Sequence, residues 1–382
     1  MATGFPTKAN WSAGDVLTAS QMDDLAGTLN YLSPVGQANG STLVANSANA
    51  SGLGWTAGNP IPNPVINSCM DIWQRGTSMA GSTTQFCADR WQAYRAVAGS
   101  TYSRQATADT TNLPNIQYCV RMSRDSGNTA TNNLALITNF ESANSIPFAG
   151  KQVTISFYAR KGANFSAASS LLNVEFDSGT GTDQNLISGY TGSVNMTAGS
   201  IATLTTAWQR FSYTVTPAAT TTQLGISLYW TPVGTAGAAD YAEVTGVQVD
   251  VGSLALPIRR TGTTLQGELA ACQRYYYRQT GDNLYANFGI GTCNALTTAL
   301  VNIMPPVTMR VKPTSVDFST LRLYDGSVAW PITSLALNSD SSGAAQPQVT
   351  ATASTGTFTL TRNAFIQGNN SASAYVGFSA EL

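Results

Sequence analysis

The stretch Val244-Thr-Gly-Val-Gln-Val-Asp-Val251 decides the fold class. Apolar and polar residues alternate along it, the two-residue period of a strand with one face on a core. The same texture recurs upstream in Ile116–Met122, Val153–Ala159, Leu172–Phe176, Arg210–Val215 and Leu224–Tyr229. Gly, Asn, Ser, Thr and Pro clusters separate these runs, and no helical period intervenes. Many short strands without helices between them mean an antiparallel sandwich or jelly roll. Residues 65–260 are therefore expected to form one large β-sandwich.

Downstream, Thr264–Tyr276 changes period. Leu265, Leu269, Cys272 and Tyr276 share one helical face, with Thr264 at the start, so residues 261–280 read as a helical connector. Alternation returns in Ala295–Ile303, Leu321–Leu323, Val349–Thr352, Thr357–Leu360 and Ala374–Phe378, which makes residues 281–382 a smaller C-terminal β domain. No fixed repeat is evident, which argues against a solenoid or propeller.

Upstream, residues 33–64 are rich in Gly, Asn, Ser and Ala and carry Pro34, Pro60, Pro62 and Pro64, the composition of an extended linker. Before it, residues 1–32 form a small module. Thr18 and Gln21 have the spacing of a capping box, and Met22, Leu25, Leu29 and Leu32 recur as a heptad seam. So short a helix needs a partner, either its own chain or copies of itself. The linker behind it favours self-association.

Composition narrows the function. Lys+Arg number 19 and Asp+Glu 20, a net charge of −1, so a polyanion grip is excluded and no nucleic-acid partner is expected. Only 10% of the 382 residues are charged, while 43% are hydrophobic, so a core can form beneath a neutral, hydroxyl-rich surface. There is no histidine, which removes His-based nucleophile systems and His-ligated zinc. Cys69, Cys87, Cys119, Cys272 and Cys293 are widely spaced and odd in number, and are expected as free buried thiols. No run approaches 18 apolar residues and the opening lacks an apolar signal segment, so neither membrane insertion nor a signal peptide is expected.

Three groups of segments resemble bacteriophage tail-fibre or minor virion structural proteins. The first is Asn67-Ser-Cys-Met-Asp-Ile-Trp-Gln-Arg-Gly-Thr-Ser78 with Ala88-Asp-Arg-Trp91. The second is Val247–Ser253 with Leu256-Pro-Ile-Arg-Arg260 and Glu268-Leu-Ala-Ala-Cys-Gln-Arg-Tyr-Tyr276. The third is Pro306–Thr314 with the closing Gly377-Phe-Ser-Ala-Glu-Leu382. Ser12–Ala19 is similar to the N-termini of such fibres. The resemblance implies a jelly-roll body similar to carbohydrate-binding modules, a homotrimeric fibre, an N-terminal anchor on other virion proteins, and a place on the virion surface after assembly in the host cytoplasm.

The function expected is non-covalent attachment to a host-surface glycan. A structural decoration or adaptor protein is the alternative, and a glycan depolymerase a third. Candidate ligand residues are Asp325 and Trp330 in one C-terminal loop, Gln367 in another, and the adjacent Tyr229 and Trp230, of which one must point inward and one outward. Glu175 and Asp177 flank Phe176 on one strand face; with Asp250 they could ligate a structural calcium, the one cofactor considered. A glycosidase would need two such carboxyls straddling a bond. Arg75, Asp89 and Arg90 suit either a ligand clamp or an internal ion pair, and Tyr275–Tyr277 either the domain junction or a threefold axis.

Overall fold

In a computed structural model, which describes residues 42–45, 53–56, 61–81, 83–95 and 98–382, Tyr241–Val251 runs through the middle of one of two facing sheets. Its six-stranded sheet has the order Gln209–Val215, Val153–Lys161, Tyr241–Val251, Tyr118–Arg124, Ser100–Ala106, Ser78–Ala80. The facing sheet runs Val194–Asn195, Leu171–Gly179, Gln223–Trp230, Leu134–Asn139, Gln92–Arg95, Gln85–Phe86, with Ile201–Thr203 also on Leu171–Gly179. Every pairing is antiparallel. Val244, Val249, Ile155 and Phe157 of one sheet meet Leu136, Phe176, Ile226 and Leu228 of the other in a single core. The sandwich expected over residues 65–260 is present, and all six runs read from the alternation are strands in it.

The deciding strand is less regular than its sequence. Its register with Val153–Lys161 shifts between Thr245 and Gln248, a bulge that moves the core-facing set from Val244 to Val247 and Val249. Gly246 makes the shift possible: its φ is +60°, and a Cβ there would lie 2.9 Å from both Ile116 and Tyr158. The polar face of this strand is also buried. Glu243 sits between Arg121 and Arg160 of the flanking strands, 2.6 and 2.5 Å away, so a fully buried carboxylate is paired on both sides.

The helix spans Leu265–Gln273, and the Thr264 hydroxyl caps it by accepting from Gly267 N. The expected apolar face is only partly buried: Cys272 is inside, Leu265 is 60% exposed, and Tyr276 already belongs to the strand Tyr276–Thr280. The C-terminal β domain is a closed six-stranded barrel, Asn287–Cys293, Thr298–Asn302, Gln348–Ala353, Ala329–Leu337, Leu321–Tyr324, Asn363–Gly368, beside a three-stranded sheet of Tyr276–Thr280, Tyr375–Ser379 and Ser315–Ser319. Thr357–Leu360 is not a strand. Its backbone bonds instead to Leu296 O and Asp325, and Leu360 is 52% exposed.

Two expectations about the N-terminal part need correction. The stretch taken as a linker contains an antiparallel pair, Thr42–Ala45 with Leu53–Thr56. The body also begins before residue 65: the Asn63 side chain is buried and bonds Val247 O, Arg259 O and the N–H of Val65 and Val249. Met22, Leu25, Leu29 and Leu32 lie outside the described residues.

Candidate functional site

The outer face of the sheet carrying Gln223–Trp230 holds the most distinctive surface. Cross-strand register lines up Tyr94, Ala135, Tyr229 and Asn173 in one row, and Gln92, Ile137, Ser227 and Glu175 in the next. Small Ala135 and Ser227 lie between the larger side chains, which leaves a groove of about 260 Å³ lined by Tyr94, Asn133, Ala135, Ile137, Glu175, Ile187, Ser227 and Tyr229. Tyr94 is 38% exposed and Tyr229 half-buried, so the groove offers two aromatic rings. Asn133 accepts from Thr231 through its amide oxygen, and Ser227 bonds the Glu175 carboxyl.

A third row, Asn139, Gly225, Asp177 and Asn195, closes the floor. The segment 183–195 lies over it. Tyr190 donates to Asn139 Oδ1 and Leu224 O at 2.8 and 3.1 Å, passing so close to Gly225 that no side chain fits there. Asn185 bonds Gln92 and the carbonyl of Leu382, and brings Ile187 to the groove wall. Beneath this segment Asp177 is 7% exposed and its Oδ2 has no hydrogen-bond partner. Burial, with the Glu175 carboxylate two residues away, pushes its pKa up to about 7. Glu175 is raised as well, by burial, with Ser227 pulling the other way.

The structure distributes the sequence-derived candidates over several places. Tyr229 faces the groove, whereas Trp230 is fully buried against Phe165, 4.7 Å between ring centroids, and is core. Asp325 is a turn residue. Burial works against its ionisation, yet the N–H groups of Val328, Ser327 and Thr359 hold its pKa down to about 2. Gln367 bonds Arg322 and Asn287 on the barrel wall, and Trp330 is 36% exposed on Ala329–Leu337. These three do not converge on one site. Nor do the calcium candidates: Asp250 is on the opposite sheet, held by Arg259 and Gln248, while Glu175 and Asp177 share the groove strand. Among the described residues no group of three or more His, Cys, Asp or Glu could hold a metal ion. All five cysteines are buried, and Cys69, Cys119, Cys272 and Cys293 are free thiols.

Arg75 and Arg90 are internal. Both pair with Glu381, and their guanidinium carbons lie 3.4 and 3.7 Å from the ring centroids of Tyr276 and Tyr275. Gln74 donates to Tyr276 O and to Asp89, and accepts from Arg278 N. Segments from all three groups behind the phage resemblance thus meet at the junction of sandwich and barrel. Another concavity, about 860 Å³ beside Asn63 and Pro114, has no aromatic lining, and its Arg259 and Arg260 are taken by Asp250 and Asp71.

Sequence reasoning missed the groove as a unit, because Tyr94 and Tyr229 become neighbours only through Leu134–Asn139, a strand the alternation did not reveal. No protein-family model matches the chain, and no curated protein matches it in sequence. Among solved structures, the xylan-binding CBM22-2 domain of Paenibacillus barcinonensis overlaps 43% of this chain and 92% of its own, at 14% identity and a TM-score of 0.27. TmCBM61 in complex with β-1,4-galactotriose overlaps 50% of this chain and 99% of its own, at 10% identity and 0.29. The enzymatically active domain of tailspike protein 4 of bacteriophage CBA120 overlaps 50% of this chain and 21% of its own, at 9% identity and 0.31. At such scores these likenesses decide neither fold nor function. The architecture rests on the strand order itself.

Proposed function

We propose that this chain is a bacteriophage virion fibre or spike protein that attaches to a host-surface glycan through the groove on its sandwich. One observation carries the binding reading: two tyrosine rings that line the groove, the exposed Tyr94 and the half-buried Tyr229, stand in one cross-strand row beside the amide of Asn133 and the carboxyl of Glu175. Sugars present apolar ring faces and hydroxyl edges, and this groove offers aromatic faces and polar edges. The virion assignment draws on the resemblance of the junction segments. It carries with it a homotrimer, an N-terminal attachment to other virion proteins, and exposure on the particle.

Binding in this reading is non-catalytic. This reading draws on the placement of Glu175 and Asp177, which project from one strand face with Asp177 beneath the segment 183–195. Incubating the full chain with isolated host-surface polysaccharide tests both halves. The expected result is retention of the polysaccharide without release of reducing ends, and retention lost in Tyr229→Ala. Steady release of reducing ends that stops in Glu175→Gln would make the protein a depolymerase. The decoration or adaptor reading draws on the exposed Leu296, Met304 and Leu360 of the barrel, 58%, 67% and 52% accessible. It would be favoured by virions that keep full adsorption when Tyr229 is replaced.

A further inference from the structure

The barrel wall carries a second surface with the opposite chemistry. Asn287, Gln367 and Arg322 stand opposite one another on three adjacent strands, and Ile290, Phe365 and Tyr324 form the neighbouring row. Arg322 Nε and Nη2 both donate to Gln367 Oε1, at 3.1 and 2.7 Å. Gln367 Nε2 in turn donates to Asn287 Oδ1 at 2.9 Å. A guanidinium cannot accept, so Arg322 fixes the orientation of both amides. The relay engages both amide oxygens, and it leaves Arg322 Nη1 and Asn287 Nδ2 as donors with no hydrogen-bond partner among the described residues.

Aromatic rings flank these donors. The Arg322 guanidinium carbon is 4.2 Å from the ring centroid of Tyr285 and 5.5 Å from that of Tyr324, and Tyr285 is 46% exposed. Arginine–carboxylate pairing is the rule elsewhere in this chain, from Arg75 and Arg90 on Glu381 to Arg362 on Asp325. Arg322 has no carboxylate partner among the described residues. A charged edge with two uncommitted donors beside the exposed Tyr285 ring is complementary to an anion carried on a stackable ring.

We propose that this face of the barrel binds a carboxylated saccharide of the uronic-acid class, with the carboxylate on Arg322 Nη1 and Asn287 Nδ2 and the pyranose against Tyr285. The site adds to the groove reading and does not depend on it. The groove is lined by the Glu175 carboxyl and by no cation among the described residues, and disfavours the same anion.

Calorimetric titration of the full chain with a short oligogalacturonate and with its neutral methyl ester tests the proposal. The expected result is at least about tenfold tighter binding of the acid form. That preference should be lost in Arg322→Gln and in Asn287→Asp, which turns a donor edge into an acceptor edge without removing the guanidinium that supports Tyr285. The Tyr94→Ala/Tyr229→Ala variant should keep it, so failure of the groove reading and failure of this one are read separately. Equal affinity for acid and ester, no binding of either, or an acid preference that persists in a folded Asn287→Asp variant would overturn the proposal.

Discussion

At the scale of single residues, Asp177 is the clearest departure from how this chain treats carboxylates. Glu141, Asp240, Glu243, Asp250 and Glu381 each meet an arginine; among the described residues Asp177 meets none, and its Oδ2 is unpaired under the 183–195 segment. Its pKa rises from 3.8 to about 7, so between those values the folded protein holds a proton that the unfolded chain releases. Its contribution to stability is complete below about pH 4 and is lost as pH rises through about 7. Asp177→Asn should therefore be more stable than the wild type at pH 8, by on the order of 1–3 kcal/mol, and equal to it near pH 4. Thermal melts of both proteins across that range check this; parallel curves would mean that Asp177 is solvated. Little of this was legible in the sequence. The shared face of Glu175 and Asp177 follows from strand alternation, but the covering segment is a tertiary fact. Adjacency did show that Tyr229 and Trp230 must part company, and the structure supplies which one turns inward.

At the scale of elements, the alternating runs were legible because each has one apolar face. The strand Leu134–Asn139 was not, because both its faces are buried, one in the core and one under the groove, and its apolar run has no period of two. The bulge at Gly246 was likewise hidden. The strings Trp73–Thr77 and Cys272–Tyr276 stand out in the sequence, yet their partner Glu381 lies in the last residues of the chain, and only the fold joins them. Removing that carboxylate leaves the buried Arg90 guanidinium and the partly buried one of Arg75 unpaired. Glu381→Ala is expected to cost about 3–5 kcal/mol and to loosen the barrel from the sandwich. Limited proteolysis should then cut near the helix Leu265–Gln273 before either domain is degraded. Unchanged melting and an uncut junction would remove Glu381 from its role as the clamp.

At the scale of the whole molecule, the proposed function needs an N-terminal attachment segment and a glycan-binding body. The attachment half rests on the Met22, Leu25, Leu29 and Leu32 seam. Deleting residues 1–32 should leave the sandwich and barrel folded while the protein fails to enter particles; normal copy number on purified virions would end that part of the account. If copies are tethered together as the proposed fibre would hold them, avidity multiplies weak single sites, so a modest affinity at each groove would suffice. The central claim is that the groove is where the sugar sits, and it was the part of the molecule least legible from sequence, since its two rings come from strands far apart in the chain. Titration calorimetry of the wild type and the Tyr94→Ala/Tyr229→Ala variant against one neutral host-surface oligosaccharide tests it most directly. Losing two stacking rings should cost about 1–2 kcal/mol each, raising Kd by at least about tenfold with an unchanged melting temperature. An unchanged Kd in the folded double variant would contradict the account.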